Sequence, residues 1–242
     1  MPLYRDEAIV LRTHKLGEAD RIITLLTRQH GRVRAVAKGV RKTTSRWGSR
    51  LEPFTHVDLQ LDEGRNLDVI TQADTIEAFP AHLGDHYDRY TAGTVMLETA
   101  DRLVAEEKQP SVQQFLLLVG GLRAMTAGDR APAQVLDSYL LRSLAVAGYA
   151  PSFTHCARCG DPGPHRWFSA AAGGALCADC RVPGSASPSA GTLEVMGALL
   201  AGDWPAVAAA DARHLREASG LVTAFLHWHL ERGLRSLEYV ER

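Results

Sequence analysis

At Pro80 the spacing of apolar residues along this chain changes from two to about 3.5, and one kind of element cannot serve both periods. Before it, Val57, Leu59 and Leu61 alternate with His56, Asp58, Gln60 and Asp62, as in a strand with one face turned inward. After it, Tyr90, Gly93, Leu97, Ala100 and Val104 are spaced 3, 4, 3 and 4 and form one stripe along a helix. The chain therefore reads as a multi-domain α and β protein, β-rich at its N-terminal end and α-helical beyond it.

The N-terminal part contains four further strand patterns. Ala8-Ile9-Val10-Leu11 is a compact apolar run, and Ile22-Ile23-Thr24-Leu25-Leu26-Thr27 follows the Gly17 break with strong β-branched content. Val33, Ala35 and Ala37 alternate with Arg32, Arg34, Val36 and Lys38, and Leu67, Val69, Thr71 and Ala73 follow the turn at Gly64. Five short strands with a long loop after the third are compatible with a small closed barrel of the OB type. An SH3-like barrel or an open sheet fits the same pattern. Glu18 and Asp20 precede the second strand with no His or third acid close by, and read as turn residues or partners of nearby arginines.

The stretch from Arg21 to Leu51 carries Arg21, Arg28, Arg32, Arg34, Lys38, Arg41, Lys42, Arg46 and Arg50 without one Asp or Glu, a local charge of +9. The chain has 27 Lys+Arg and 28 Asp+Glu, so the remainder sums to 18 − 28, or −10. A neutral molecule with one concentrated basic strip holds a polyanion there and nowhere else, the electrostatic footprint of a nucleic-acid binder. Arg32, Arg34, Lys38, Arg41, Lys42, Arg46 and Arg50 are the expected phosphate contacts, with Trp47 available to stack on a base. The competing reading is a sheet edge kept soluble by cations, with Trp47 covering the end of a small core.

All four cysteines stand in two CxxC pairs, Cys156/Cys159 and Cys177/Cys180, with seventeen residues between the pairs. Each knuckle brings two thiolates to one ion, and two knuckles give the four-sulfur tetrahedron that Zn²⁺ accepts. Such a shell has no open position, so one structural Zn²⁺ is expected, helping to fold a segment poor in apolar residues. An iron–sulfur cluster would use the same four ligands. His155 and His165 read as surface residues.

Around this segment the pattern is helical. Ser111 is positioned to cap a helix bearing Val112, Phe115, Leu116, Val119 and Leu122, and a helix over 133–147 is apolar nearly all round. Ser187 as cap with Pro188 at the first position predicts the next helix, and a last one is predicted over 211–234. His227 and His229, on either side of Trp228, do not share a helix face and so do not form a metal pair. No apolar run reaches the roughly 18 to 20 residues of a membrane span, and the acidic Asp6-Glu7 sits where a secretory signal would be basic and then apolar. Clustered cysteines suit a reducing compartment, so a cytoplasmic location is expected. No GxxxxGK[ST] loop is present, and the chain is expected not to be an enzyme.

Ala8-Ile9-Val10-Leu11, the run from Gly17 to Thr27, Gly31, Ala37-Lys38-Gly39-Val40-Arg41-Lys42, Leu51-Glu52-Pro53-Phe54, the CxxC pairs and the ending Leu234-Arg235-Ser236-Leu237 together resemble the RecO family of bacterial recombinational repair proteins. The resemblance spans essentially the whole chain. It implies an N-terminal OB fold over 1–80, a helical domain over 81–152 and 184–242, and a zinc module inserted at 153–183. It also implies binding of single- and double-stranded DNA, annealing of complementary strands, and cooperation with RecR to load RecA onto DNA coated by single-strand binding protein, whose C-terminal tail is contacted. Residues for the tail pocket are not carried over. An RNA-binding accessory protein built on the same barrel remains the alternative.

Overall fold

A computed structural model describes residues 2–45, 47–230 and 233–240. The chain forms two compact units, residues 1–129 and 130–242.

The first unit contains five strands, β1 (Leu3–Leu16), β2 (Asp20–Thr27), β3 (Gly31–Ala37), β4 (Thr55–Asp62) and β5 (Asp68–Ala78), paired in the order β1-β2-β3-β5-β4. β4 returns to pair with β1, from Leu3↔Asp62 to Ile9↔His56, so the sheet closes on itself. Alternation along the strands fills the interior with Ala8, Val10, Ile23, Leu25, Val33, Ala35, Val57, Leu59, Leu61 and Ile70. The run at 8–11 does not alternate because β1 is covered on both faces. Ile9 and Leu26 are cross-strand neighbours on the outer face, yet neither is exposed, since helices α2 (Tyr87–Leu103) and α3 (Val112–Ala127) pack there. A short α1 (Pro80–Leu83) precedes them.

Closure is weakest between β3 and β5, which pair in parallel only at Ala35↔Asp68 and Val36↔Val69. The β2–β3 turn is held by Asp6, whose buried carboxylate accepts from the backbone N–H groups of Gln29 and His30 and lies 2.7 Å from His30 Nδ1. The long loop from 38 to 54 folds back on the barrel and delivers Trp47 and Leu51 into its core. Trp47 is 3% exposed and its Nε1–H donates to the Lys38 carbonyl at 2.9 Å. The indole therefore closes the end of the core and is not presented for base stacking. A large apolar ring gains more from that burial than from water, once its one polar atom has an acceptor.

The second unit packs α4 (Pro132–Val146), α5 (Ala190–Ala201) and α7 (Ala212–His229) against one another, with α6 (Trp204–Ala208) between the last two. α4 contributes Leu136, Tyr139, Leu140, Leu141 and Leu144 to the core, as its apolar circumference predicts. Two boundaries differ from expectation. α5 begins after Ser189, not at Pro188, because Glu217 of α7 accepts from the Ser189 N–H and supplies the anion that the helix start needs. α7 ends at His229, short of 234; Glu231 and Arg232 lie outside the described residues. Between α4 and α5, β6 (Trp167–Ser169) and β7 (Gly174–Leu176) form a hairpin whose Phe168 packs on Phe225 of α7. Among the described residues no helix is long and apolar enough to cross a membrane.

Candidate nucleic-acid interface and metal centre

Alternation along β3 buries Val33, Ala35 and Ala37 and turns Arg32 and Arg34 outward. In sequence their stretch lacks acids; in space it does not. Asp101 of α2 meets Arg32 Nε at 2.7 Å and Arg12 Nε at 3.0 Å, and Glu107, in the α2–α3 connection, takes Arg34 side-on through Nε and Nη2. Arg21 pairs with Glu52 at 2.6 Å and Arg28 with Glu7 at 3.4 Å. Part of the strip is therefore neutralised by long-range partners that no local charge count detects.

The cations beyond β3 stand differently. Lys38, Arg41 and Lys42 are exposed, and among the described residues no carboxylate pairs with any of the three. Arg41 is anchored by its own backbone, with its N–H on the Ala19 carbonyl and its Nη1 on the carbonyls of Gly17 and Glu18 at 3.2 and 2.9 Å. Asp20 accepts from the Gly39 N–H at 2.7 Å, so this acid is more than a turn residue: it clips the basic loop to the β1–β2 turn. That arrangement adds Lys15, exposed and opposite Arg21 in the β1–β2 register, to the same end of the sheet. Sequence reasoning misses it because Lys15 precedes the dense stretch, although folding the hairpin about Gly17 would find it. Arg50 is exposed on the far limb of the loop, and Arg46 lies outside the described residues. Fixed cations on an otherwise acidic molecule attract a polyanion without reading bases.

In the second unit the two CxxC knuckles converge. The four Sγ atoms of Cys156, Cys159, Cys177 and Cys180 lie within 4.8 Å of one another, with Cys159 and Cys177 at 3.7 Å. Sulfurs at the corners of a tetrahedron about an ion with bonds of about 2.3 Å are separated by roughly 3.8 Å. The first knuckle turns through Gly160, whose φ of +76° suits a residue without Cβ and whose N–H returns to the Cys156 carbonyl. Backbone N–H groups of Cys159, Cys177 and Arg158 point at the Cys156 sulfur and lower its thiol to about 6. Hydrogen bonding to the thiols of Cys159 and Cys177, with burial, pushes Cys180 up to about 12. Four thiols this close cannot all ionise alone, but a soft divalent cation compensates the repulsion and displaces their protons. The donor set fits a metal ion held structurally.

Comparison with known proteins bears on both sites. The family model described as Recombination protein O N terminal matches residues 1–79, and that described as Recombination protein O C terminal matches residues 84–238. The chain is 77% identical to a protein named DNA repair protein RecO from Nocardioides sp., over 99% of this chain and 100% of that one. Proteins of the same name from Streptomyces griseus and Thermobifida fusca are 62% and 60% identical, each aligned over 100% of both chains. With both halves matched and relatives aligned from end to end, the chain belongs to the RecO family.

Proposed function

We propose that this chain acts in DNA repair and homologous recombination as a non-enzymatic mediator. It binds single- and double-stranded DNA and anneals complementary strands. With RecR, it helps load RecA onto DNA coated by single-strand binding protein, contacting that protein's C-terminal tail in the cytoplasm at the nucleoid. The barrel is of the OB type, a reading supported by its strand order and its parallel β3–β5 closure. Residues 1–80 form the DNA-binding domain, 81–152 and 184–242 the helical domain, and 153–183 a zinc module in which Cys156, Cys159, Cys177 and Cys180 hold one structural Zn²⁺.

The observation that carries this reading is the group Lys38, Arg41 and Lys42, exposed and unpaired with any described carboxylate, of which Arg41 is held by the carbonyls of Gly17 and Glu18. Annealing brings two polyanions together, and a sequence-blind cationic surface lowers their repulsion. Replacing Lys38, Arg41 and Lys42 together by Ala should weaken binding to all DNA sequences. It should also flatten the plot of log affinity against log salt by about 0.7 to 0.9 for each phosphate no longer neutralised. An unchanged slope overturns the interface. The same variant should no longer accelerate annealing of oligonucleotides precoated with single-strand binding protein. Tight RNA binding with no DNA annealing by the intact chain would instead favour an RNA-binding accessory protein.

A further inference from the structure

The connection between α2 and α3 does more than join them. Because β3 pairs with β5 only over Ala35 and Val36, its first half lacks a strand neighbour on that edge, and the connection occupies it. The Lys108 N–H donates to the Arg32 carbonyl at 2.9 Å, and Glu107 forms a parallel bridge with Arg32. Gly31 permits the approach, since a Cβ there would lie 1.7 Å from the Gln109 carbonyl oxygen. Lys108 has a φ of +59°, a left-handed conformation that costs a non-glycine residue about 1 kcal/mol or more. Its ammonium contacts Glu63 at 3.2 Å and the buried Asp68 at 3.1 Å, which pins this end of the segment to the barrel.

We propose that residues 104–109 form an anionic strap in which the Glu107 carboxylate occupies, on Arg34, the place of a nucleic-acid phosphate and yields it when nucleic acid binds. The inference rests on the proposed DNA interface and adds a competitor built into it. A carboxylate and a phosphate diester both present two oxygens to the Nε/Nη edge of a guanidinium, so each excludes the other. The two arginines differ in what they can release. Arg32 is 15% exposed and locked on Asp101 at 2.7 Å, with Glu107 only approaching its Nη1 at 3.5 Å, and remains structural. Arg34 and Glu107 are 42% and 33% exposed, so water and an incoming oxyanion reach the pair. One phosphate exchanged for one carboxylate gains little, because exposed ion pairs are individually weak. A strand already held at Lys38, Arg41 and Lys42 has its next phosphate at high local concentration and displaces the strap. Arg34 is thereby reserved for ligands long enough to engage the loop cations first.

The test uses the full chain and a fluorescent single-stranded oligonucleotide at low salt. Glu107→Gln should tighten binding about two- to fivefold, the range spanned by exposed ion pairs, and steepen the salt dependence. Glu106→Gln removes the same charge one residue earlier, where no described cation is paired with it, and should do less. In an Arg34→Ala background the gain from Glu107→Gln should fall to that of Glu106→Gln. A second readout does not depend on any variant: adding DNA to the wild-type chain should shift the Arg34 Nε–H resonance as the Glu107 carboxylate is displaced, and an unmoved resonance overturns the exchange. If Glu107→Gln equals Glu106→Gln, or binds more weakly than wild type, the strap falls while the interface stands. If the Lys38/Arg41/Lys42 variant keeps the wild-type salt slope, the interface itself falls.

Discussion

His56 is buried at the bottom of β4, edge-on to the Phe115 ring, and among the described residues neither of its ring nitrogens is hydrogen-bonded. Burial lowers its pKa, with Arg123 and Arg28 acting in the same direction and Glu7 and Glu77 opposing them. The folded chain therefore holds the neutral ring where the unfolded chain would take a proton at about 6.5. The stability from this site is present above that value and is lost as pH falls through it toward the lower folded pKa. Urea midpoints measured from pH 7.5 to 5.5 should fall in the wild type and fall less in His56→Phe, which keeps the ring contact and removes the titration. Parallel slopes would mean that other groups carry the acid sensitivity. The same scale shows where single residues mislead. Trp47 stands among basic and hydroxylic residues and looks like a stacking platform, but the loop's need for an apolar anchor decides its position. Arg34 looks free for the opposite reason, since its partner is distant in sequence.

Among the elements, α5 shows how a helix start can be completed from outside. Ser189 and Thr192 turn their hydroxyls, and Ser189 its N–H, to Glu217 of α7 at 2.7 to 2.8 Å. The Ser189 N–H above all, then the two hydroxyls, hold the Glu217 carboxyl down at about 2. Glu217→Ala should accelerate amide exchange at Ser189 and Thr192 and fray the first turn of α5, while α4 exchange stays unchanged. Slow exchange throughout would show that Ser189 alone caps the helix. Of the elements, those with a strict period were legible from sequence: β4 by its alternation, α2 by its stripe, α4 by its continuous apolar surface. The cysteine knuckles were legible because their spacing is itself a geometric statement. What could not be read was anything set by a partner far along the chain. The start of α5 depends on Glu217, 28 residues on, and the segment 104–109, with no period of its own, carries no signal until β3 lies beside it.

At the scale of the whole molecule, the basic strip and the cysteine cluster are segregated. The basic strip lies within residues 1–129 and all four cysteines within 130–242. Removal of a metal held by the cysteines should therefore act on one unit and spare the proposed binding surface of the other. The knuckles fix the hairpin of β6 and β7, and through Phe168 that hairpin bears on Phe225 of α7. Without an ion Cys180, pushed up to about 12, keeps its proton, and the proposed cross-link through 153–183 would be lost. Protons and metal compete for the same lone pairs, so a chelator should strip the ion more readily as pH falls. Heating the full chain with and without chelator at neutral pH should convert one unfolding transition into two. The lower transition should appear together with four newly reactive thiols. Oligonucleotide binding by the Lys38 loop should survive between the two transitions. A single unchanged transition with thiols unreactive after prolonged chelation would show that no exchangeable metal organises this segment. Disappearance of DNA binding in step with the lower transition would move part of the interface onto the second unit.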